Sequence, residues 1–320
     1  MCGPIPYDHI ETYEGIVCER YGCTLYPTMA LAALLSPTWT IHPVANVGSE
    51  DIPLLRQLLS LHPQIDLRGI RATPEGTNRI FLKYTSQSHR LEKQTNRMKP
   101  ITFSDVEPFL DSSAFIFVPV TDFEVTLDTL RKVKESSPDA IVLFDAHGPV
   151  TTIDAENNRI PKAWENMDEW LPFIDILKMN DEEFANVANQ PLADAGQFTA
   201  TARVWLEKGP SAVVVTTGSR GATVAYRNGG EVSAVEVPAV PVDRVVDTTG
   251  AGDSFAAGYV YGELFYKNPV LAAMFGNVVA AQKLQFMGPI GYKSNRETEV
   301  EVIFTYSSLL RTLRISLNRE

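Results

Sequence analysis

Cysteine is almost absent from the 320-residue sequence. Cys2, Cys18 and Cys23 leave one thiol unpaired in any disulfide scheme, and none belongs to a Cys-x-x-Cys pair of the kind that reads as zinc or redox chemistry. Histidine is scarce as well. There is no His-Glu-x-x-His, no clustered histidine pair and no Gly-x-Ser-x-Gly, which leaves metalloprotease and serine-hydrolase readings without support. No Gly-x4-Gly-Lys-Ser/Thr occurs, which removes a P-loop, and Gly250-Ala251-Gly252 lacks the third glycine of a dinucleotide fingerprint. Long apolar runs are missing too. Stretches such as 114–120 and 140–144 are far too short to cross a bilayer, and the opening MCGPIPYDHI lacks the basic and apolar blocks of a signal peptide, so no membrane association and a cytoplasmic location are expected. Positive charge is in deficit. A net charge of −11 repels polyanions and argues against nucleic acid as the main partner. It does not argue against a nucleotide, which needs only local backbone donors and a metal.

The material for a packed interior is present, with 44% hydrophobic and 21% charged residues, and one domain spanning 1–320 is the expectation. Apolar, β-rich runs recur at Ile41–Val47, Ala114–Val120, Ala140–Phe144, Phe173–Met179 and Ala212–Thr217, several apolar on consecutive residues as in strands covered on both faces. Helical patterns lie between them, at 124–135 and at 195–208, where Phe198, Ala202, Trp205 and Leu206 share one side. This alternation predicts an α/β fold, a mostly parallel sheet with helices on both faces, whose ligands bind beyond the carboxyl ends of the strands. Polar residues directly after strands are therefore the candidates: Asp8 after a very short first strand, Asp145, Asn180, and Thr216 to Gly218. Segments 9–20 and 76–97 fit the alternation poorly and suggest a small β lid.

The most informative stretch is 245–265, a Gly-rich turn leading into a dense apolar helix. Gly250 and Gly252 flank Ala251, so successive amides can curl toward one point, and a helix starting near Ser254 aims its positive end there. Asp253 beside such an anion hole is placed to accept a proton from an attacking hydroxyl, and phosphoryl transfer needs little beyond positioning, charge stabilisation and a base. The plainer alternative makes Asp253 an N-cap of the helix.

Asp247-Thr248-Thr249-Gly250-Ala251-Gly252-Asp253 resembles the Asp-Thr-x-Gly-Ala-Gly-Asp signature of ribokinase-like (PfkB) sugar and nucleoside kinases. The resemblance implies a ribokinase-like α/β fold, Asp253 as catalytic base, ATP as donor and Mg²⁺ as cofactor. Asn180-Asp181-Glu182-Glu183 is similar to the family's Asn-x-x-Glu, implying that Asn180 and Glu183 organise Mg²⁺ and its waters. Alone, the two residues make an ordinary capping box. The strand–turn–strand at 213–225 resembles the family's nucleotide-side hairpin, which implies Thr216, Gly218 and Gly221 along ATP, with Thr248, Thr249 and, from the helix at 274–282, Asn277. Gly3 and Asp8 are similar to the Gly-x4-Asp of the first strand, implying Asp8 as a substrate ligand. Asp145, ending a buried strand that faces the same place, is a second candidate, with His147 nearby.

The amino-terminal half departs from the pattern. Cys23 stands where the family's Gly-Gly-x-x-x-Asn-x-x-Ala has its second glycine and Pro27 where it has asparagine, so ribose or an ordinary hexose bound in the usual way is not the expected acceptor. Gly48 to Asp51 is similar to the family's Gly-x-Asp region but is equally a helix start. The basic residues Arg79, Lys83, Arg90 and Lys93 read as solubilising a lid strand. Three functions follow: a kinase of a sugar, polyol or nucleoside hydroxyl; a kinase of a vitamin-like heteroaromatic alcohol; or a degenerate protein that binds nucleotide or metabolite without turnover. The resemblance also raises a homodimer joined through the lid, for which the alternating strand at 78–84 is a hint.

Overall fold

The computed structural model describes residues 1–85, 90–192 and 194–317. Residues 86–89, in the middle of the 76–97 lid segment, lie outside the described residues. A six-stranded sheet runs in the spatial order Glu231–Val237, Ala222–Asn228, Ala212–Thr216, Ile176–Asn180, Ile141–Asp145, Ala114–Phe117. The last four strands are parallel and the first two form an antiparallel edge. Cys2 bridges Phe117 on one side and Val44 on the other, where the short parallel pair Ala45–Gly48 and Ile70–Thr73 carries the layer on.

The consecutive apolar residues of these strands divide by alternation between two cores. Ile116, Leu143, Ile176 and Val214 face the helices Leu25–Leu34, Ala251–Tyr266 and Pro269–Lys283. Phe115, Phe117, Phe144, Leu177, Met179 and Val215 face Trp164, Trp170 and the helix Ala195–Leu206 on the other side. The expected mostly parallel sheet with helices on both faces is what forms. Among the described residues no helix is long and apolar enough to cross a membrane.

Element ends differ from the pattern reading where side chains found tertiary partners. Of the run Ile41–Val47 only the end is strand, Ala45–Gly48, and Ile41 contributes a single bridge to Ile65. The helix expected from 124 begins at Leu127, capped by Thr126, because Glu124 is fully buried and accepts from the amides of Val120 and Thr121 and from Asn78. The segment 195–208 forms the helix Ala195–Leu206, capped by Asp194. At Gly48 to Asp51, Asp51 takes the N-cap position of Ile52–Leu59, yet its carboxylate accepts from Tyr21 (2.6 Å) and Arg79 (3.3 Å) instead of capping.

Over one end of the main sheet sits a four-stranded sheet in the order Val17–Tyr21, Tyr7–Glu11, Arg79–Tyr84, Arg90–Thr95. Asp8 therefore lies within a strand of this second sheet and not after a strand of the main one. Its inward face holds Ile10, Ile80 and Leu82, a small cluster that packs on Val120.

Candidate active site

The helix Ala251–Tyr266 starts three residues before the expected Ser254, so Asp253 is the third residue of its first turn. Gly250 is the N-cap, with φ +80, and a side chain there would drive a Cβ to 2.3 Å from the Tyr26 ring. This removes the capping role for Asp253. The Ala251 amide is turned to Thr248 O (3.2 Å), so it does not join the expected trio. The Gly252 and Asp253 amides carry no hydrogen bond among the described residues, and they lie at the positive helix end.

Two cavities meet at this helix start. One, of about 670 Å³, is lined by Thr216, Gly218, Gly221, Thr248, Gly252 and Asn277, with Val240, Val242, Phe255, Ala280 and Leu284 giving it apolar walls. Gly218 and Gly221 both have positive φ, and a Cβ on Gly221 would reach 2.1 Å from Val237 O, so the turn leaves backbone bare along this cavity. Asn277 donates to Val237 O and Pro238 O, both at 3.1 Å. The other cavity, of about 230 Å³, is lined by Asp8, Cys23, Asp145, His147, Arg159, Lys178, Asn180, Glu183, Thr249, Gly250 and Asp253. Thr248 and Gly252 belong to both. Thr249 falls on the smaller cavity and away from the larger one.

Strand register explains why the polar residues converge. Lys178 pairs with Asp145 across the parallel strands, on the face turned to the helix start, and its ammonium reaches Asp145 Oδ2 at 2.5 Å. A Cβ on Gly252 would stand 3.2 Å from that ammonium, which sets Lys178 directly beside the turn. Enclosure raises the Asp253 carboxyl to about 6, the nearby Lys178 opposing the shift. Burial also raises Asp145, again against Lys178.

Asn180 caps the helix Asp181–Ala188 and closes a box with Glu183: Asn180 N–H to Glu183 Oε2, 2.8 Å, and Glu183 N–H to Asn180 Oδ1, 2.7 Å. His147 Nδ1 lies 2.6 Å from Glu183 Oε1. Among the described residues no group of three or more acidic, histidine or cysteine side chains forms a cage for a metal. These residues fit Mg²⁺ only as partners of its waters, in keeping with an ion that retains most of its hydration.

Two cations missing from the sequence-based candidates stand in the site. Lys178 precedes Asn180 by two in its strand, and alternation would have placed it on the ligand face. Arg159 comes from a short hairpin, Thr151–Ile153 with Arg159–Pro161. It contacts His147 Nε2 (2.7 Å) and donates to Val120 O (2.7 Å) and to Glu92 (2.7 Å) of the four-stranded sheet. Nothing local in the sequence announces it.

The amino-terminal departures also resolve into geometry. Cys23 adopts the left-handed conformation, φ +48, that suits glycine, and its thiol donates to Val118 O (3.1 Å). Pro27 is the third residue of the buried helix Leu25–Leu34, where a missing amide costs little. Gly22 is bare because a Cβ would meet Asp8 Oδ2 at 2.2 Å, which presses Asp8 into the smaller cavity.

The family model described as pfkB family carbohydrate kinase matches residues 79–295, leaving Asp8 and Cys23 outside the matched span. The 2-dehydro-3-deoxygluconokinase of Escherichia coli K12 is 34% identical over 192 residues, 57% of this chain and 55% of the relative. The chain thus matches about half the length of such curated relatives. Among solved structures, a pyrophosphate-dependent kinase in the ribokinase family superposes with a TM-score of 0.74 at 19% identity, over 94% of this chain and 98% of that one. Arabidopsis thaliana ribokinase, solved with ribose and ATP, gives 0.72 at 18% identity, over 94% and 97%.

Proposed function

The chain belongs to the pfkB family of carbohydrate kinases, and from that premise we propose that it moves the γ-phosphoryl group of ATP to a hydroxyl of a small sugar or polyol. One observation carries the reading: a large and a small cavity share Thr248 and Gly252, with Asp253 lining the small one. The donor's adenine lies between the apolar walls of the larger cavity and its phosphates reach the Gly252 and Asp253 amides. The acceptor hydroxyl sits against Asp253. As its oxygen bonds to the γ-phosphorus, its proton passes to the Asp253 carboxylate and the bond to the β,γ-bridging oxygen breaks, releasing ADP. Lys178 and the helix start hold the negative charge that spreads over the transferred group. Mg²⁺, when bound, would supply further charge neutralisation on the phosphates, and Asn180 and Glu183 are the residues that would hold it through its waters.

One named relative is a 2-dehydro-3-deoxygluconokinase and another a ribokinase solved with ribose, and the small cavity suits a molecule of that kind. Carboxylates and cations line it, hydrogen-bonding groups for several hydroxyls, and Tyr26 is the one phenol among its described lining residues. That composition favours a polyhydroxylated acceptor over a heteroaromatic alcohol. Apolar walls wide enough for a base favour ATP as donor over pyrophosphate, on which one structural neighbour depends. A homodimer through the four-stranded sheet belongs to the same reading.

The test is acceptor-dependent ATP consumption over a panel of sugars, sugar acids and polyols, with pyrophosphate as the alternative donor. Asp253→Asn should lower kcat by about 10²–10⁴ and leave ATP binding near wild type. Turnover with pyrophosphate alone, or an undiminished Asp253→Asn, would overturn the assignment.

A further inference from the structure

Beside the cavity that holds Asp253 lies another of about 200 Å³, and the two share His147, Arg159, Asn180 and Glu183. The proposed transfer makes no use of it. Thr151, Glu182 and Asn186 give it polar groups, while Val150, Ile160 and Pro161 give it apolar surface. A sugar ring presents the same mixture, with hydroxyls on its rim and carbon–hydrogen bonds on its faces.

The four shared residues, with Glu92, form an unbroken row of short contacts. Arg159 Nη1 donates to Glu92 Oε2 (2.7 Å), Arg159 Nη2 meets His147 Nε2 (2.7 Å), His147 Nδ1 meets Glu183 Oε1 (2.6 Å), and the Asn180 side-chain amide donates to the same oxygen (2.9 Å). A guanidinium has donors only, so Nε2 is the bare ring nitrogen and the proton sits on Nδ1, donated to Glu183. The imidazole is thus held in one tautomer from both sides. Arg159 is fixed further by Val120 O (2.7 Å), and its side chain is 5% exposed.

The hairpin that carries Arg159 is tied to the four-stranded sheet in turn. The Gln94 amide donates to Asn157 O (2.9 Å), and Lys93 bridges Asn158. One donor is left over: Arg159 Nε is enclosed without a partner among the described residues. Stability alone does not ask for an arginine placed at the cost of a hydrogen bond, and such breaches concentrate where function requires the side chain.

We propose that Arg159 and His147 are specificity-determining residues: their contact is a partition that limits the acceptor to one sugar unit, and the cavity behind it is a second sugar-sized subsite that opens when the contact is lost. The effect on turnover rests on the kinase reading. The partition itself is tested apart from it, by ligand binding and by the histidine tautomer.

Wild type, Arg159→Ala, Arg159→Met and His147→Ala are compared as full chains on the monosaccharides of the acceptor panel and on disaccharides built from them. Wild type should favour the monosaccharide by about 10²-fold in kcat/KM. Arg159→Ala should raise the ratio of disaccharide to monosaccharide kcat/KM by about tenfold or more, and Arg159→Met, which keeps the bulk of the side chain, should leave it near wild type. If Arg159→Ala does not fold, His147→Ala opens the same partition from its other half and should show the same gain. Nitrogen-15 spectra at about pH 8, above the ordinary histidine range, should show His147 protonated on Nδ1 and bare on Nε2, the signal being identified by its loss in His147→Ala. Disaccharides taken by wild type as readily as monosaccharides, an unchanged ratio in the opened variants, or a proton on Nε2 would each overturn the proposal. If wild type turns over no acceptor, the kinase reading fails. Calorimetry with the same sugars then decides the partition, which stands only if an opened variant binds a disaccharide that wild type does not.

Discussion

The helix pair that opens on the Gly250 turn and the sheet that covers it are built in opposite ways. In the pair Ala251–Tyr266 and Pro269–Lys283, small residues bring backbone against backbone. A Cβ on Gly258 would fall 2.6 Å from Phe275 O, and one on Gly262 2.6 Å from the Ala272 Cα. Among the described residues the covering sheet's own buried cluster is Ile10, Ile80 and Leu82, while Val17, Phe81 and Leu91 stand in solvent. It is tied down by separate polar contacts: Arg20 to Asp247, Tyr21 to Asp51, Glu92 to Arg159. The helix pair is therefore held by close backbone packing that an added methyl must push apart, and the covering sheet by separate side-chain pairs. On the kinase reading proposed above, a scaffold of this kind would keep phosphoryl transfer constant while the acceptor changes, in line with departures at Cys23 and Pro27 beside a 247–253 string that matches the family pattern.

The largest effect that would break this contrast is on the rigid side. With the Asp253 carboxyl at about 6, the base is competent above that pH and protonated below it. The rate should fall about tenfold per pH unit on the acid limb. A kcat/KM profile with no break between about pH 5 and 7 would deny Asp253 the role. Gly258→Ala comes next. Helix propensity favours alanine by about 1 kcal/mol, but overpacking against backbone costs about 1–3 kcal/mol, so the net change should be a loss of order 1 kcal/mol, seen as a lower Tm. An unchanged or raised Tm would show that the two helices can separate.

On the lid side, Arg159→Met and Glu92→Gln should each raise the acceptor KM with little change in ATP affinity. The double variant should show a coupling of about 0.5–3 kcal/mol, measured as a cycle on kcat/KM. Additive effects would mean that this contact does not hold the lid. Smallest of all, Phe81→Ser on the outward face should move stability by no more than about 0.5 kcal/mol in chemical denaturation. A larger loss would reveal a partner on that face, and a shift in sedimentation would identify it as a second copy.

Much of the donor side was legible because it is local. The turn at Gly250, the helix that follows, the capping box of Asn180 with Glu183 and the glycines at 218 and 221 each depend on residues a few positions apart. What was misread, the start of the helix at Ala251 in place of Ser254 and the diversion of the Ala251 amide, is a matter of one turn of backbone. The acceptor side was less legible because its groups arrive from separate segments. Asp8 belongs to the four-stranded sheet, Arg159 to a hairpin with no sequence signal, and Glu124, which the helical pattern includes, is a buried acceptor bracing Asn78 and the amides of Val120 and Thr121.

By itself the sequence determined the alternation of buried strands and amphipathic helices, the placing of Asp145 and Asn180 at strand ends and the glycine turn that opens the helix Ala251–Tyr266, because hydrophobic period and glycine φ act between near neighbours. Only the tertiary structure decided that Lys178 meets Asp145, that Arg20 and Lys283 close on Asp247 and that Arg159 joins the lid to His147. Those pairings join segments as much as 227 residues apart, and their strength comes from burial that exists only once the sheet and its lid have assembled.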